Sequence, residues 1–398
     1  MSAPAVAPRP AVASMSKLRR PTPSHASRLS GLDGLRGLAA LAVVVLHVWM
    51  YTEANRPDHS VFVDAVIGEL RVAVVLFFVL SAYLLARPWV QAAHGERAAP
   101  RLGRFWLRRL ARVAPAYWVA VAGSYLLLSG TGHGRSTGPE ALPLFALFLQ
   151  NAFSETRGML DPPMWSLCVE VTFYAVLPVI GWLLILAARR RRAAGPLLVC
   201  AGLVVLGLAW MTVGVALAWP PEVMWTLPSY LALFACGVAA AVLAHGRRPG
   251  AGVVAALLVG GTAVVVANGV WHSDGTGFTG HVLGDLPAAA GFAAIIAAVA
   301  LRPPGLLAIA PLRGLGAISY GVYLWHLPVL YVLQVHDAMP ERAVPALVAV
   351  VVPTFAAATA SWLLVERPIL RRTGGRRPAP SLPAQDTPGR ALAWQARA

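Results

Sequence analysis

Charged residues are scarce. They make up 13% of the 398 residues, where a soluble globular domain carries about a quarter. That shortage excludes a large surface facing water. Lysine is nearly absent, Lys17 being the only one, so the net charge of +16 rests on arginine. The arginines stand in short clusters between apolar blocks, a distribution that argues against a nucleic-acid partner. Cysteine is sparse as well. Cys168, Cys200 and Cys236 lie in apolar stretches, spaced for neither a disulfide framework nor a metal site, and they read as packing residues. No internal repeat and no second domain is visible. The preference for Arg over Lys, with abundant Ala, Gly and Pro, fits high-GC coding and a bacterial source.

What is plentiful is apolar: 58% of residues, gathered in blocks such as Leu197–Ala218 and Val344–Val365. Blocks of about 20 apolar residues match the hydrocarbon thickness of a bilayer. Backbone polar groups in lipid must be satisfied within a segment, so these blocks predict an all-α, polytopic membrane helix bundle. Spans are expected near 35–52, 70–90, 113–129, 167–188, 197–219, 227–244, 251–270, 285–301, 315–335 and 344–366. A further apolar piece, Leu142–Phe153, is too short to cross and predicts a re-entrant or interfacial segment. Residues 1–30, rich in Pro, Ala, Ser and Arg without an apolar core, read as a disordered cytoplasmic tail rather than a signal peptide. Residues 371–398 read the same way, leaving 31–370 as the membrane domain.

Arginine placement sets orientation. Arg19, Arg20 and Arg28 precede the first span; Arg101, Arg104, Arg108, Arg109 and Arg112 separate the second from the third. Arg189–Arg192, Arg247, Arg248, Arg371 and Arg372 follow the fourth, sixth and last. All fall on one side only if 142–153 does not cross. Most acids, among them Glu53, Asp64, Glu69, Asp161, Glu222 and Asp285, then fall on the other. The expected arrangement is ten crossings with both ends in the cytoplasm.

An ionisable residue within the bilayer is costly and is a functional candidate by default. Arg36 and His47 in the first span, Glu170 at the start of the fourth and His326 in the ninth qualify. Eleven positions at 100° each bring His47 to about 20° past three turns from Arg36, and about 16 Å along the axis. A cation at the cytoplasmic mouth and a deeper imidazole on the same face describe a channel for an anionic donor with a long arm. The plainer reading is a snorkelling Arg and a core His bonded to a neighbouring helix. Glu170 is placed to hold the His47 imidazole in one tautomer, or alternatively to complement a helix N-terminus.

Five stretches then fit one pattern. They are GLDGLRGLAALAVVVLHV with Arg36 and His47, FFVLSAYLL with Ser81, RFWLRRLARVAPAYW with Arg108, Arg109, Arg112 and Pro115, WSLCVEVTFY with Trp165, Glu170 and Tyr174, and SYGVYLWHLP with Tyr320, Tyr323, Trp325 and His326. The chain closes on VERP at Val365–Pro368. In this order the chain, from Gly31 to Pro368, resembles integral membrane acyltransferase family 3, the bacterial O-acyltransferases of glycans and secondary metabolites. It departs at Ala82, where Gly is usual, and at Val171 and Thr172, where Glu and Gln are common. The stand-alone form without a fused soluble hydrolase-like domain is expected.

The resemblance implies transfer of an acyl group, most simply acetyl, from cytoplasmic acyl-coenzyme A to a hydroxyl of a glycan or macrolide-type acceptor. The protein would reside in the inner membrane, in contact with its lipids. His47, Glu170 and Arg36 would form the catalytic set. Arg36, Arg108, Arg109 and Arg112 would bind the donor phosphates, to which planar, permanently charged guanidinium groups are suited. Ser81, Trp165, Tyr174, Tyr323 and His326 would support the acceptor or the oxyanion. No bound cofactor beyond the co-substrate is implied, and no metal. His47 would act as general base or as a covalent acyl carrier. The alternative is a proton-coupled transporter or flippase that moves a glycan or lipid without chemistry.

Overall fold

The structure, a computed structural model, describes residues 25–52, 61–191, 194–273, 277–302 and 305–373. In chain order its helices are α1 (His25–Thr52), α2 (Val61–Gly68), α3 (Ala73–Ala93), α4 (Leu102–Leu128), α5 (Leu142–Ala146), α6 (Trp165–Arg191) and α7 (Ala194–Ala216). They continue as α8 (Pro221–Met224), α9 (Leu227–Ala244), α10 (Ala251–Ser273), α11 (Gly277–Leu283), α12 (Leu286–Leu301), α13 (Ala310–Val335), α14 (Ala343–Ser361) and α15 (Arg367–Thr373). Among the described residues nine helical segments are long and apolar enough to cross a bilayer. The tenth expected span is α12, whose 16 residues reach about 24 Å, a little under the hydrocarbon thickness.

The segment 139–153 behaves as its length dictates. It breaks into the five-residue α5 between two 3₁₀ turns, and left-handed backbone at Phe148 ends α5. It cannot span. The first helix differs from expectation: α1 starts at His25, inside the stretch assigned to the amino-terminal tail. The rest of that stretch, residues 1–24, and the carboxy-terminal residues 374–398 lie outside the described residues, as do Glu53 and Arg192.

Helix α1 packs most extensively on α13, α3 on α9 and α6, and α10 on α12. In lipid the gain from burying apolar surface between helices is small, so small residues that admit close backbone approach take over. A side chain at Gly34 would stand 2.2 Å from the Leu307 carbonyl oxygen, and one at Gly316 2.1 Å from that of Asp33. A Cβ at Gly37 would lie 3.0 Å from the Gly316 backbone nitrogen. Gly37 and Gly316 draw the start of α1 onto α13, and Gly34 draws it onto the turn that precedes α13. Helices α7 and α10 lie at the periphery and present Val205, Leu206, Val259 and Val266 outward.

The ends of the bundle are chemically distinct. Arg36 of α1, Arg112 of α4 and Glu366 after α14 gather at one end, placing the start of the first helix beside the end of the last. At the other end Tyr51 meets Tyr331, Arg71 meets Asp285, and Trp49 meets Asp64. If the shorter α12 also crosses, both described ends of the chain lie on the arginine side, where the positive-inside rule would place the cytoplasm.

Candidate active site

A cavity of about 170 Å³ lies within the bundle, lined in part by arginines. Arg36 (α1), Ser81 (α3), Arg109 and Arg112 (α4), Glu170 and Tyr174 (α6), and Tyr320 and Tyr323 (α13) line it, with Phe77 and Phe78 on its apolar side. The cavity therefore draws on all five stretches picked out in the sequence. Arg36 is held by Asp33 at 2.8 Å, one turn earlier on the same helix. Arg112 is held by Glu366 at 3.3 Å. Arg108 faces a separate, arginine-rich surface cavity that shares Arg109 with the first.

The structure gives Glu170 a different partner from the one expected. Its Oε1 accepts a 2.5 Å hydrogen bond from Ser81 Oγ, and the carboxylate lies within electrostatic reach of Arg36, Arg109 and Tyr174. It makes no bond to His47. The reason is depth. Glu170 belongs to the level of the guanidinium groups, whereas His47 lies eleven residues beyond Arg36, toward the other side.

His47 instead pairs with His326, the ring centroids 4.9 Å apart and His47 Nδ1 3.2 Å from His326 Nε2. The surrounding carbonyls assign the protons. His326 Nδ1 is 2.8 Å from the Tyr323 carbonyl oxygen, which can only accept, so Nδ1 carries hydrogen and the Nε2 of the neutral ring is an acceptor. His47 Nδ1 faces both that acceptor and the Val43 carbonyl oxygen at 2.8 Å, so it too is the protonated nitrogen. The neutral His47 ring is thereby left with a bare Nε2. This is the tautomer a general base requires.

Arg36 and His47 thus meet different surroundings, a correction to the single open channel expected from their spacing. Arg36 lines the cavity, whereas His47 and His326 are not among its lining residues. Tyr323 connects the two levels: it lines the cavity, and its ring centroid is 6.0 Å from that of His326. Its hydroxyl donates to the Pro163 carbonyl oxygen at 2.6 Å and stands 2.6 Å from Ser166 Oγ.

Trp165 does not line the cavity. It packs among Trp225, Tyr230 and Phe78, with ring centroids 5.0–6.0 Å away. Ala82, the departure from the usual Gly, is fully buried where α3 crosses α9, and the missing side chain is on the other helix: a Cβ at Gly237 would lie 2.7 Å from that of Ala82. Ser166, Tyr320, Asp33 and Glu366 belong to the site or brace it, and sequence reasoning gave them no role. Ser166, Tyr320 and Glu366 lie inside stretches already quoted, where adjacency to Trp165, Tyr323 and VERP was the available signal.

Asp161 was also missed as a site feature. It is 1% exposed, just before the first turn of the α6 span, and neither carboxylate oxygen has a hydrogen-bond partner. Tyr117, Tyr323 and Tyr331 lie within its electrostatic reach. Burial pushes the carboxyl well above the usual carboxylate range. The folded state thus holds that proton more tightly than the unfolded state. Stability is lost as pH rises from the ordinary carboxylate value toward the folded one. Asp161→Asn is expected to raise the apparent melting temperature in detergent at neutral pH, by roughly 2 °C or more. The gain should vanish below about pH 3, where both states are protonated. Thermal unfolding at the two pH values checks it.

A polytopic membrane protein with a guanidinium-lined cavity and, one tyrosine away, a pair of imidazoles is the class that fold and site define. The chain belongs to the family described as "Acyltransferase domain", which matches residues 29–366. Among curated relatives it is similar to the peptidoglycan O-acetyltransferase OatA of Listeria monocytogenes, at 25% identity over 76% of this chain and 51% of the relative. It is also similar to the exopolysaccharide production protein ExoZ of Rhizobium meliloti, at 29% identity over 82% of this chain and 96% of the relative. Nodulation protein 10 of Rhizobium leguminosarum is 25% identical over 83% of this chain and 90% of the relative. The matched region spans about half the length of the two peptidoglycan O-acetyltransferase relatives. No solved structure matches the chain.

Proposed function

We propose that the protein moves an acyl group, most simply acetyl, from cytoplasmic acyl-coenzyme A to a hydroxyl of a glycan or macrolide-type acceptor across the inner membrane. The observation that carries the reading is the contact of His47 Nδ1 with Val43 and His326, which leaves Nε2 bare, in a bundle that also holds an arginine-lined cavity. Phosphates of the donor would meet Arg36, Arg109 and Arg112, with Arg108 at the adjoining surface. The thioester arm would pass Glu170 and Tyr323 to reach His47. The acceptor hydroxyl gives its proton to His47 Nε2 as its oxygen bonds to the acyl carbon. The carbon–sulfur bond breaks, and the thiolate of coenzyme A leaves and is reprotonated. Relatives named for peptidoglycan and exopolysaccharide favour a glycan acceptor.

The test is deletion of the gene followed by mass spectrometry of surface glycans and secreted metabolites. A missing acyl mass, restored by the wild-type gene, is expected and would name chain and acceptor together. Unchanged masses throughout would leave transport without chemistry as the better reading. Within the site, Glu170→Gln retains an oxygen to accept from Ser81 but removes the charge among the guanidinium groups. It is expected to lower kcat/KM at least about tenfold in initial-rate assays with acyl-coenzyme A. A wild-type rate would return Glu170 to a helix-terminus role.

A further inference from the structure

The backbone changes pitch between α14 and α15. Trp362–Glu366 forms a π-turn, an insertion that rotates the following side chain relative to a continuous α-helix. Leu363 and Leu364 point outward, 46% and 76% exposed, whereas Glu366 is 2% exposed. A carboxylate so placed is expensive unless something uses it. Its Oε2 accepts from Arg112 Nη1 at 3.3 Å, and its Oε1 has no partner. The Arg112 guanidinium carbon also sits 5.6 Å over the ring of Trp362, the first residue of the same turn.

One turn of backbone thus supplies an anion and an aromatic face to a single guanidinium, fixing both its charge and its plane. Arg112 retains 27% side-chain exposure and lines the cavity. Arg36, on the opposing helix, feels the Arg112 charge. Each of these like charges has an acid to hold it, Asp33 for Arg36 and Glu366 for Arg112. The pair is therefore kept close and aimed inward despite repulsion.

We infer that Glu366, with Trp362, is a positioning residue that aims Arg112 at an anionic group of the donor. The inference rests on the donor reading given above. Glu366 touches neither the thioester nor the acceptor, so its loss should weaken donor binding and spare the chemical step.

The experiment measures initial rates with acyl-coenzyme A and equilibrium dialysis of coenzyme A, on full-length protein in detergent. The variants are Glu366→Gln, Glu366→Asp, Trp362→Leu, Arg112→Ala and the double variant Arg112→Ala with Glu366→Gln. Glu366→Gln is expected to raise KM for the donor about tenfold with kcat within about twofold, and Glu366→Asp to restore part of the loss. The double variant should bind donor no worse than Arg112→Ala alone, because the two residues act as one unit. If Glu366→Gln does not fold, Trp362→Leu tests the other half of the mount and should raise KM severalfold. Wild-type KM in the folded variants, a fall in kcat alone, or full additivity with Arg112→Ala overturns the inference while leaving the donor reading standing. Wild-type protein that neither binds nor turns over the donor overturns both.

Discussion

Replacing His47 with alanine is expected to lower kcat/KM for acyl transfer roughly 10³-fold, with the protein still inserted in the membrane. The size follows from what is removed. In the proposed mechanism the bare Nε2 of His47 is the proton acceptor, and alanine leaves neither a base nor a covalent carrier. Initial rates with labelled acyl-coenzyme A, normalised to the amount of inserted protein, measure the loss. Undiminished transfer would remove His47 from the chemistry. Trapping the labelled acyl group on wild-type protein, in the absence of acceptor, would favour a covalent acyl-imidazole over direct attack.

His326→Ala is expected to cost roughly 10²-fold in kcat with little change in donor KM. His326 meets no lining position of the donor cavity, so donor affinity should not register its loss. Its part is to accept from His47 Nδ1–H at 3.2 Å, itself fixed as an acceptor because its own Nδ1 is committed to the Tyr323 carbonyl. Without it the His47 ring keeps only the Val43 carbonyl, and the imidazolium formed in the reaction loses half of its support. His326→Gln places an amide oxygen on the same side chain and should recover part of kcat where alanine does not. A rise in donor KM with unchanged kcat would instead make His326 part of the donor path. Loss of inserted protein without any change in specific activity would make it a packing residue.

The spans were legible because period and thickness are one-dimensional quantities. A run of about 20 apolar residues has one inexpensive conformation in lipid, and arginine clusters mark its ends. The same reasoning kept Leu142–Phe153 from crossing, and that segment breaks into turns. Arg36 and His47 stood out through cost: a guanidinium or imidazole in an apolar run needs a reason. Glu366 stood at the end of an apolar run and drew no notice, because the π-turn that turns it inward depends on how α14 meets α4.

The partners of these groups were not legible. Spacing along α1 put Arg36 and His47 on one stripe, and helix periodicity allows nothing more. It says nothing about which neighbours stand opposite each turn. The rotation and height of α13 against α1 decide that His326 faces His47, and Gly37 and Gly316 set them through backbone contact. Glu170 was matched to His47 because both are polar residues in spans. The structure separates them by depth and gives Glu170 to Ser81.

Composition and the order of apolar runs by themselves determined a membrane bundle and the few side chains expensive enough to need a purpose, since the cost of burying backbone and charge in lipid is paid residue by residue. Which of those side chains touch was decided only when the helices packed. A contact between two helices depends on their mutual height and rotation, and these follow from where small residues let two backbones approach.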